Sequence, residues 1–462
     1  MASLSREIAQ WVVGLRYDDL PAAVVDRAKG VTLHSLASVL LGSQTPGGRQ
    51  AVQLMTAEES GVSHGATIMV DGATVTKGGA AFCNAEMAMA GGKLDSFRML
   101  THPGTSILPG AFVATETAGA SGREFITGLA AGYEVMERLA ADFIPTVMAR
   151  GFHAGPVFGI FGAAVAAAKI LNLTEGQVNS TIALCVHLAA GNLEGPRGGG
   201  RALREGAAVR NAMLAVALAQ TGHVGGETVL EGDAGFYHAY TGNNKGQLTY
   251  SFVGDTQTSL NKITTALGQD WMFLETLYRI YSTAGYNIAH VDVTAQLCAE
   301  HNIRYEDVER VEAVVNWLET QYPSPAFPSR REDAAPQPGS TPYYTAYGVV
   351  QRSFPVLQSQ PGADDPPEVL ELMHRVKLIP SHDMTLFGPR ITIYTRDGKS
   401  YTKQATGREF MWDFDEEARR IRDVIPGLPI PAAQFEEIIA TCRDLDRQDR
   451  ADRLIQLTLK QG

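Results

Sequence analysis

Apolar residues recur at three- and four-residue intervals over 4–15 and again over 21–41, the spacing of one buried helix face, and Pro21 suits a helix start. Residues 66–70 and 73–75 flank Asp71-Gly72, a strong turn signal, and predict a small β-hairpin. Helical spacing resumes over 77–89, 106–118 and 122–147. The segment GFHAGPVFGIFGAAVAAAKILNL, residues 151–173, is apolar or small on every side from Val157 onward, which predicts a helix enclosed by protein. Gly155 is the expected N-cap there and Pro156 the first helical residue, so His153 should stand just ahead of the helix. Thr174-Glu175-Gly176-Gln177 reads as a capping box opening a helix toward Ala190. A glycine-rich turn then feeds a helix over 201–220.

The pattern changes after about residue 265. Alternation predicts strands at 308–317 and 374–379 and a hairpin over 390–402 turning at Asp397-Gly398. Helices are expected at 289–300 and 342–350, with an extended proline-rich loop between 321 and 342. Helical spacing returns at 415–424 and 431–442. The fold expected is mostly α: a large all-helical domain from residues 1–265 and 405–462, with a smaller α+β domain, 266–404, inserted.

Composition narrows the function. At 462 residues, 45% hydrophobic and 19% charged, the chain is long enough for two ordinary globular domains. A formal net charge of −11 argues against a nucleic-acid partner. Cys83, Cys185, Cys298 and Cys442 are too dispersed for a zinc or iron–sulfur site. No leader-like or membrane-length apolar run is present, so a cytoplasmic protein without a membrane partner is expected. The glycine signatures of nucleotide sites, HExxH and GxSxG are missing, and the expectation is a protein with no cofactor and no metal.

Candidate chemistry lies in three stretches. His153 precedes a helix start, where backbone N–H groups favour an anion and a neutral imidazole. Asp95, Ser96 and His102 crowd together within GGKLDSFRMLTHPGTSILPG, and a carboxylate near an imidazole can hold its tautomer. Arg197, Arg201, Arg204 and Arg210 supply cations for a carboxylate substrate, unless Glu194 and Glu205 neutralise them in a surface network. Arg279, Tyr281, Tyr286, Asn287 and His290 form a weaker group. Histidines, a carboxylate and arginines suit removal of a proton next to a carboxylate.

The chain resembles the MmgE/PrpD family, which includes 2-methylcitrate dehydratase, cis-aconitate decarboxylase and iminodisuccinate epimerase. The likeness is carried by THPGTSILPGAFVATETAG, GYEVMERL, the 151–177 segment, REGAAVRNAMLAVALAQTGHVGG and VLEGDAGF. It implies a homodimer whose large helical domain carries an α+β lid, with the site between the two and a small-molecule carboxylate as substrate. His102 matches the family's HP histidine and His153 its GFH histidine; Asp95 and Ser96 match the end of a segment that usually reads DFDDT. The first aspartate of that segment falls on Gly92. Arg201 and Arg204 stand where the family carries lysine and histidine, and Arg279 where it carries another lysine. Arginine grips a carboxylate in a planar fork but does not give up its proton, which removes a lysine-type acid–base role. On this reading His102, His153 and Asp95 are catalytic, while Ser96, Arg197, Arg201, Arg204, Arg279 and Tyr281 bind substrate. The expected activity is cofactor-independent dehydration of a hydroxy di- or tricarboxylate. Epimerisation through the same carbanion, decarboxylation of a cis-aconitate-like acid and non-catalytic carboxylate binding are the alternatives.

Overall fold

A computed structural model of the chain describes residues 2–194, 200–281, 283–321, 335–354, 362 and 365–460, of which 200 and 201 are described by their backbone alone. It is mostly α with a smaller α+β part and divides into two compact units. The first comprises residues 1–249, 257–278 and 412–462, the second 250–256 and 279–411.

The first unit opens with α1 (Leu4–Gly14), α2 (Ala22–Gly42) and α3 (Pro46–Glu59). The last of these was not foreseen, because only Gly48, Ala51 and Met55 of it are buried and its apolar stripe is thin. A hairpin of β1 (Ala66–Thr67) and β2 (Thr74–Val75) follows, then α4 (Lys77–Gly91), β3 (Leu94–Ser96) and α5 (Pro103–Ala118). The helix expected over 122–147 is two helices, α6 (Gly122–Ala140) and α7 (Ile144–Ala149). Pro145 lies in the first turn of α7, where its missing N–H costs nothing; within one continuous helix it would break the ladder. Next come α8 (Ala154–Ile170), α9 (Glu175–Leu188), α10 (Gly200–Gln220) and α11 (Phe236–Thr241), and helices Phe414–Ile421, Ala432–Arg443 and Arg453–Thr458 complete the unit.

Every residue of α8 except Lys169 is buried. Glycines let its neighbours approach. On α5, Ser106 lies against Gly159 and Gly110 against Ala163, so α5 and α8 run parallel. On α6, Gly128 meets Ile170 while Gly132 meets the Gly162 carbonyl, so α6 runs antiparallel to α8. The first turns of α5 and α8 and the last turn of α6 therefore share one end of the bundle.

Residues 257–278 belong to the helical unit, beyond the composition change at 265, because α6 pins them with buried charge. Arg138 pairs with Glu134 and donates to the carbonyls of Thr265 (2.7 Å) and Ala266 (3.2 Å), while Glu134 accepts from the Phe273 N–H (3.1 Å) and Glu137 from the Thr276 hydroxyl.

In the second unit, which β4 (Leu277–Arg279) enters, α12 (Gly285–Glu300) leads to β5 (Val308–Asn316), α13 (Thr341–Gln351) and α14 (Pro367–Leu372). Strands β6 (Val376–Ser381), β7 (Arg390–Thr395) and β8 (Ser400–Gln404) complete a four-stranded sheet of order β6-β5-β7-β8. Only the β5–β6 pair is parallel.

Glycine spacing gives a direct test. An added methyl at Gly132 would lie 2.6 Å from the Gly162 carbonyl oxygen, whereas at Gly110 the nearest atoms are at 3.4 Å. Gly132→Ala is expected to lose about 1–3 kcal/mol in urea unfolding through overpacking. Gly110→Ala should stay within about 1 kcal/mol of wild type, since better helix propensity offsets the tight fit.

Candidate active site at the heads of two parallel helices

Both histidines are N-cap residues, one at the head of α5 and one at the head of α8. For α8 this corrects the expected start: the helix begins at Ala154, and the His153 imidazole caps it, Nδ1 accepting from the Gly155 N–H at 3.2 Å. The backbone around His153 is held by a short antiparallel bridge in which its N–H donates to the Gly191 carbonyl (3.1 Å) and the Leu193 N–H to the Gly151 carbonyl (2.8 Å).

His102 is half-buried and returns to β3 through a tight loop. Two non-glycine residues in that loop, Arg98 (φ 50°) and Leu100 (φ 62°), take left-handed backbone conformations, the kind of strain that surrounding structure must hold in place. Arg98 is held by the Ala141 carbonyl (3.0 Å) and lies beside Asp142 (3.7 Å) and Glu275 (3.5 Å). His102 Nδ1 lies 2.9 Å from the Asp95 carbonyl oxygen and 3.1 Å from Ser96 Oγ.

The tautomers follow from these partners. A carbonyl only accepts, so Nδ1 of His102 carries its hydrogen and the neutral ring has its basic lone pair on Nε2. Nδ1 of His153 accepts from a backbone N–H, so the neutral ring carries its hydrogen on Nε2. At one end of a helix pair, then, the two imidazoles are in opposite tautomers, one suited to take a proton and one to donate a hydrogen bond.

Asp95 does not hold the His102 tautomer through its carboxylate, as the sequence suggested; its backbone carbonyl does that. The carboxylate is buried and accepts from the Gly104 N–H (2.9 and 3.0 Å) and the Tyr133 hydroxyl (2.6 Å), tying β3 to the first turn of α5 and to α6. Gly92, where the resemblance places a further aspartate, is instead the left-handed C-cap of α4 (φ 74°).

Of the four arginines, the two whose side chains are described have different partners. Arg210 pairs with Glu59 at 2.7 Å, and Arg204 donates to the Asn192 carbonyl at 2.6 Å, clamping the strand that holds His153. Arg201 lies in the first turn of α10 with its side chain outside the described atoms, and Arg197 lies outside the described residues. Arg279 is buried in the second unit, where the Tyr281 ring lies tilted against Phe354 (centroids 4.3 Å apart). Also there, burial pushes His290 down to about 3, so that ring, beside Thr345 Oγ1 at 2.9 Å, stays neutral in the physiological range.

Glu205, which the sequence left open as a partner of the arginines in a surface network, is buried instead. It is 1% exposed, and its Oε2 accepts from Ser106 Oγ on α5 at 2.9 Å. A methyl added at Gly155 would lie 2.7 Å from Glu205 Oε1 and 3.0 Å from His153 Nδ1, so carboxylate and imidazole border the same small space. From α4, Glu86 is also buried, and its carboxyl is pushed up to about 7 by burial and then by the negative charge of Glu205. The signal was present in the sequence: Glu205 falls on the stripe of α10 that continues through Val209, Ala212, Val216 and Ala219, all buried.

The profile of the MmgE/PrpD N-terminal domain matches residues 6–249. Curated relatives include a cis-aconitate decarboxylase-like protein of Aspergillus oryzae, 26% identical over 86% of this chain and 85% of the relative. The cis-aconitate decarboxylase of Aspergillus terreus is 24% identical over 87% and 84%, and the human cis-aconitate decarboxylase 24% identical over 88% and 83%.

The acidic pair predicts a pH-dependent stability. Glu86 holds its proton more tightly in the folded chain than its ordinary value of 4.5 allows, so folding takes up a proton between there and about 7. Stability should therefore fall as pH rises through that window, and the loss should be complete above it. Glu86→Gln should remove this slope and melt higher than wild type at pH 8, by on the order of 1–3 kcal/mol. Parallel pH profiles of wild type and variant in thermal melts would contradict it.

Proposed function

The chain belongs to the MmgE/PrpD family, and on that premise we propose that it is a lyase that removes the proton next to a carboxylate and eliminates water from a hydroxy di- or tricarboxylate. The observation that carries this reading is the pair of opposite imidazole tautomers at the heads of α5 and α8. His102 Nε2 takes the α proton, the C–H electrons form the new double bond, and hydroxide leaves toward His153, whose ring, once protonated, supplies a proton through Nε2. Asp95 holds β3 against the first turn of α5 and so fixes His102. Ser96, which shares the His102 Nδ1 hydrogen with the Asp95 carbonyl, helps fix the ring plane. Arg201, with Arg197, is assigned to the substrate carboxylates; Arg279 and Tyr281 are further candidates for that role.

Decarboxylation is the second reading, favoured by what the relatives from Aspergillus and human are named for. There the C–C bond breaks, carbon dioxide leaves and the carbanion takes one proton, so a proton donor suffices and no base is needed. Epimerisation would use the same base and donor on opposite faces of one carbon.

Proton NMR in deuterium oxide separates these outcomes with citrate-like hydroxy acids and cis-aconitate as substrates. Elimination should give vinylic signals from the hydroxy acid. His102→Gln should lose both α-proton exchange and elimination, by about 10²–10⁴-fold, whereas His153→Gln should keep exchange and lose elimination. Carbon dioxide release from cis-aconitate, insensitive to His102→Gln, would replace the dehydratase reading with the decarboxylase one.

For Arg201, the bidentate grip is the testable feature. Arg201→Lys keeps the charge but loses the planar fork, and kcat/KM should drop roughly tenfold or more, through KM if the contact is uniform. Unchanged kinetics would remove Arg201 from the substrate site.

A further inference from the structure

A neutral His153 offers Nε2–H as a hydrogen-bond donor, but giving that proton away entirely would leave an imidazolate. To serve as an acid the ring must first be an imidazolium, with hydrogen on both nitrogens. In that state Nδ1 can no longer accept from the Gly155 N–H, and its own hydrogen needs an acceptor.

We propose that Glu205 is that acceptor: a positioning residue on α10 that receives Nδ1–H of protonated His153 and so enables His153 to act as the acid. The geometry carries it. Glu205 Oε1 and His153 Nδ1 both lie within 3.0 Å of one point above Gly155, a position that only a residue without Cβ leaves open. The other carboxylate oxygen is fixed by Ser106 at 2.9 Å, so Oε1 is held in place. The carboxylate also lies against the first turn of α8, where the helix dipole favours a negative charge.

The groups that face Glu205 come from α4, α5 and α10. Glu86, on α4, is pushed up to about 7 by burial and by the negative charge of Glu205. The guanidinium of Arg204, the preceding residue of α10, is directed to the Asn192 carbonyl. From α5 the contact is the neutral Ser106 hydroxyl. The buried charges of α6 are engaged with residues 262–276, and Glu175 and His187 of α9 are not buried. Two positions of His153 result: neutral and capping α8, or protonated and paired with Glu205. Proton transfer from Nε2 to the leaving group leaves the hydrogen on Nδ1, still paired with Glu205; the ring returns to the capping form when Nε2 takes up a proton and Nδ1 releases its own to water.

The inference rests on the proposed acid role of His153, but its first test does not. Histidine-labelled intact protein without substrate is titrated by NMR. In Glu205→Gln the His153 pKa should fall by at least one unit, a tenfold loss of proton affinity, with a smaller change at His102. Glu205→Asp, which keeps the charge but withdraws it by one methylene, should give a smaller fall and keeps the test open if the glutamine variant does not fold. An unchanged His153 titration in either folded variant overturns the pairing. The second readout is turnover: the alkaline limb of kcat should move down in pH with the titration while KM stays near wild type. A shifted titration with an unshifted limb overturns the enabling role and, with it, His153 as the acid, while leaving the pairing itself established.

Discussion

The close approach of α5 and α8 is the constraint on which the site depends. Ordinary side chains at Gly159 and Gly162 would meet Ser106 at 2.5 Å and Ile107 at 2.8 Å, so the two helices could not lie this close or stay in this register. Because the pair is parallel, this contact also brings two helix N-termini to the same end. Four unsatisfied N–H groups at each such end call for partners; the His153 side chain supplies one at α8, and the Asp95 carboxylate supplies one at α5, where His102 holds the N-cap position. The candidate groups thus stand at the ends of a closely packed helix pair, and loops bring their partners up to them.

Burial of charge is organised around the same end. Glu134, Glu137 and Arg138 lie in the last turns of α6, and each has its partners in the segment 262–276 or along α6 itself. A lone charge removed from water would cost far more than these contacts return. The engagement of Arg138 with Glu134 and with the carbonyls of Lys262, Thr265, Ala266 and Asp270 explains how an irregular segment stays packed against a helical bundle. It also explains why the composition change at 265 was a poor guide to the edge of the unit.

Hydrophobic spacing made the helices and the α+β part legible, since 3.6- and 2-residue periods report burial directly. It missed α3, whose apolar stripe is thin, and ran through the break at Ala141–Phe143, where the apolar pattern continues even though the backbone turns. At the site, residue identity was legible and bonding was not. His102, Asp95 and Ser96 stand together as their spacing suggested, but which oxygen faces Nδ1 depends on a loop with two left-handed residues. No residue type signals that geometry. The place of Glu205 stayed open because a charged residue among arginines can also be a surface pair. Its position on the apolar stripe of α10 carried the opposite message.

The arginines show why charge in a sequence is not one shared resource. Arg204 spends its guanidinium on a backbone carbonyl of the strand that fixes His153, and Arg210 meets Glu59 across to α3. Where the resemblance places a histidine, at position 204, this chain has an arginine that donates to the Asn192 carbonyl. A cation that holds the backbone beneath an imidazole acts on the reaction only through geometry. The carboxylate on the next residue, Glu205, acts through charge. Adjacent positions on one helix thereby serve the same histidine by different physical means, one fixing where the ring sits and the other favouring the state in which it can give up a proton.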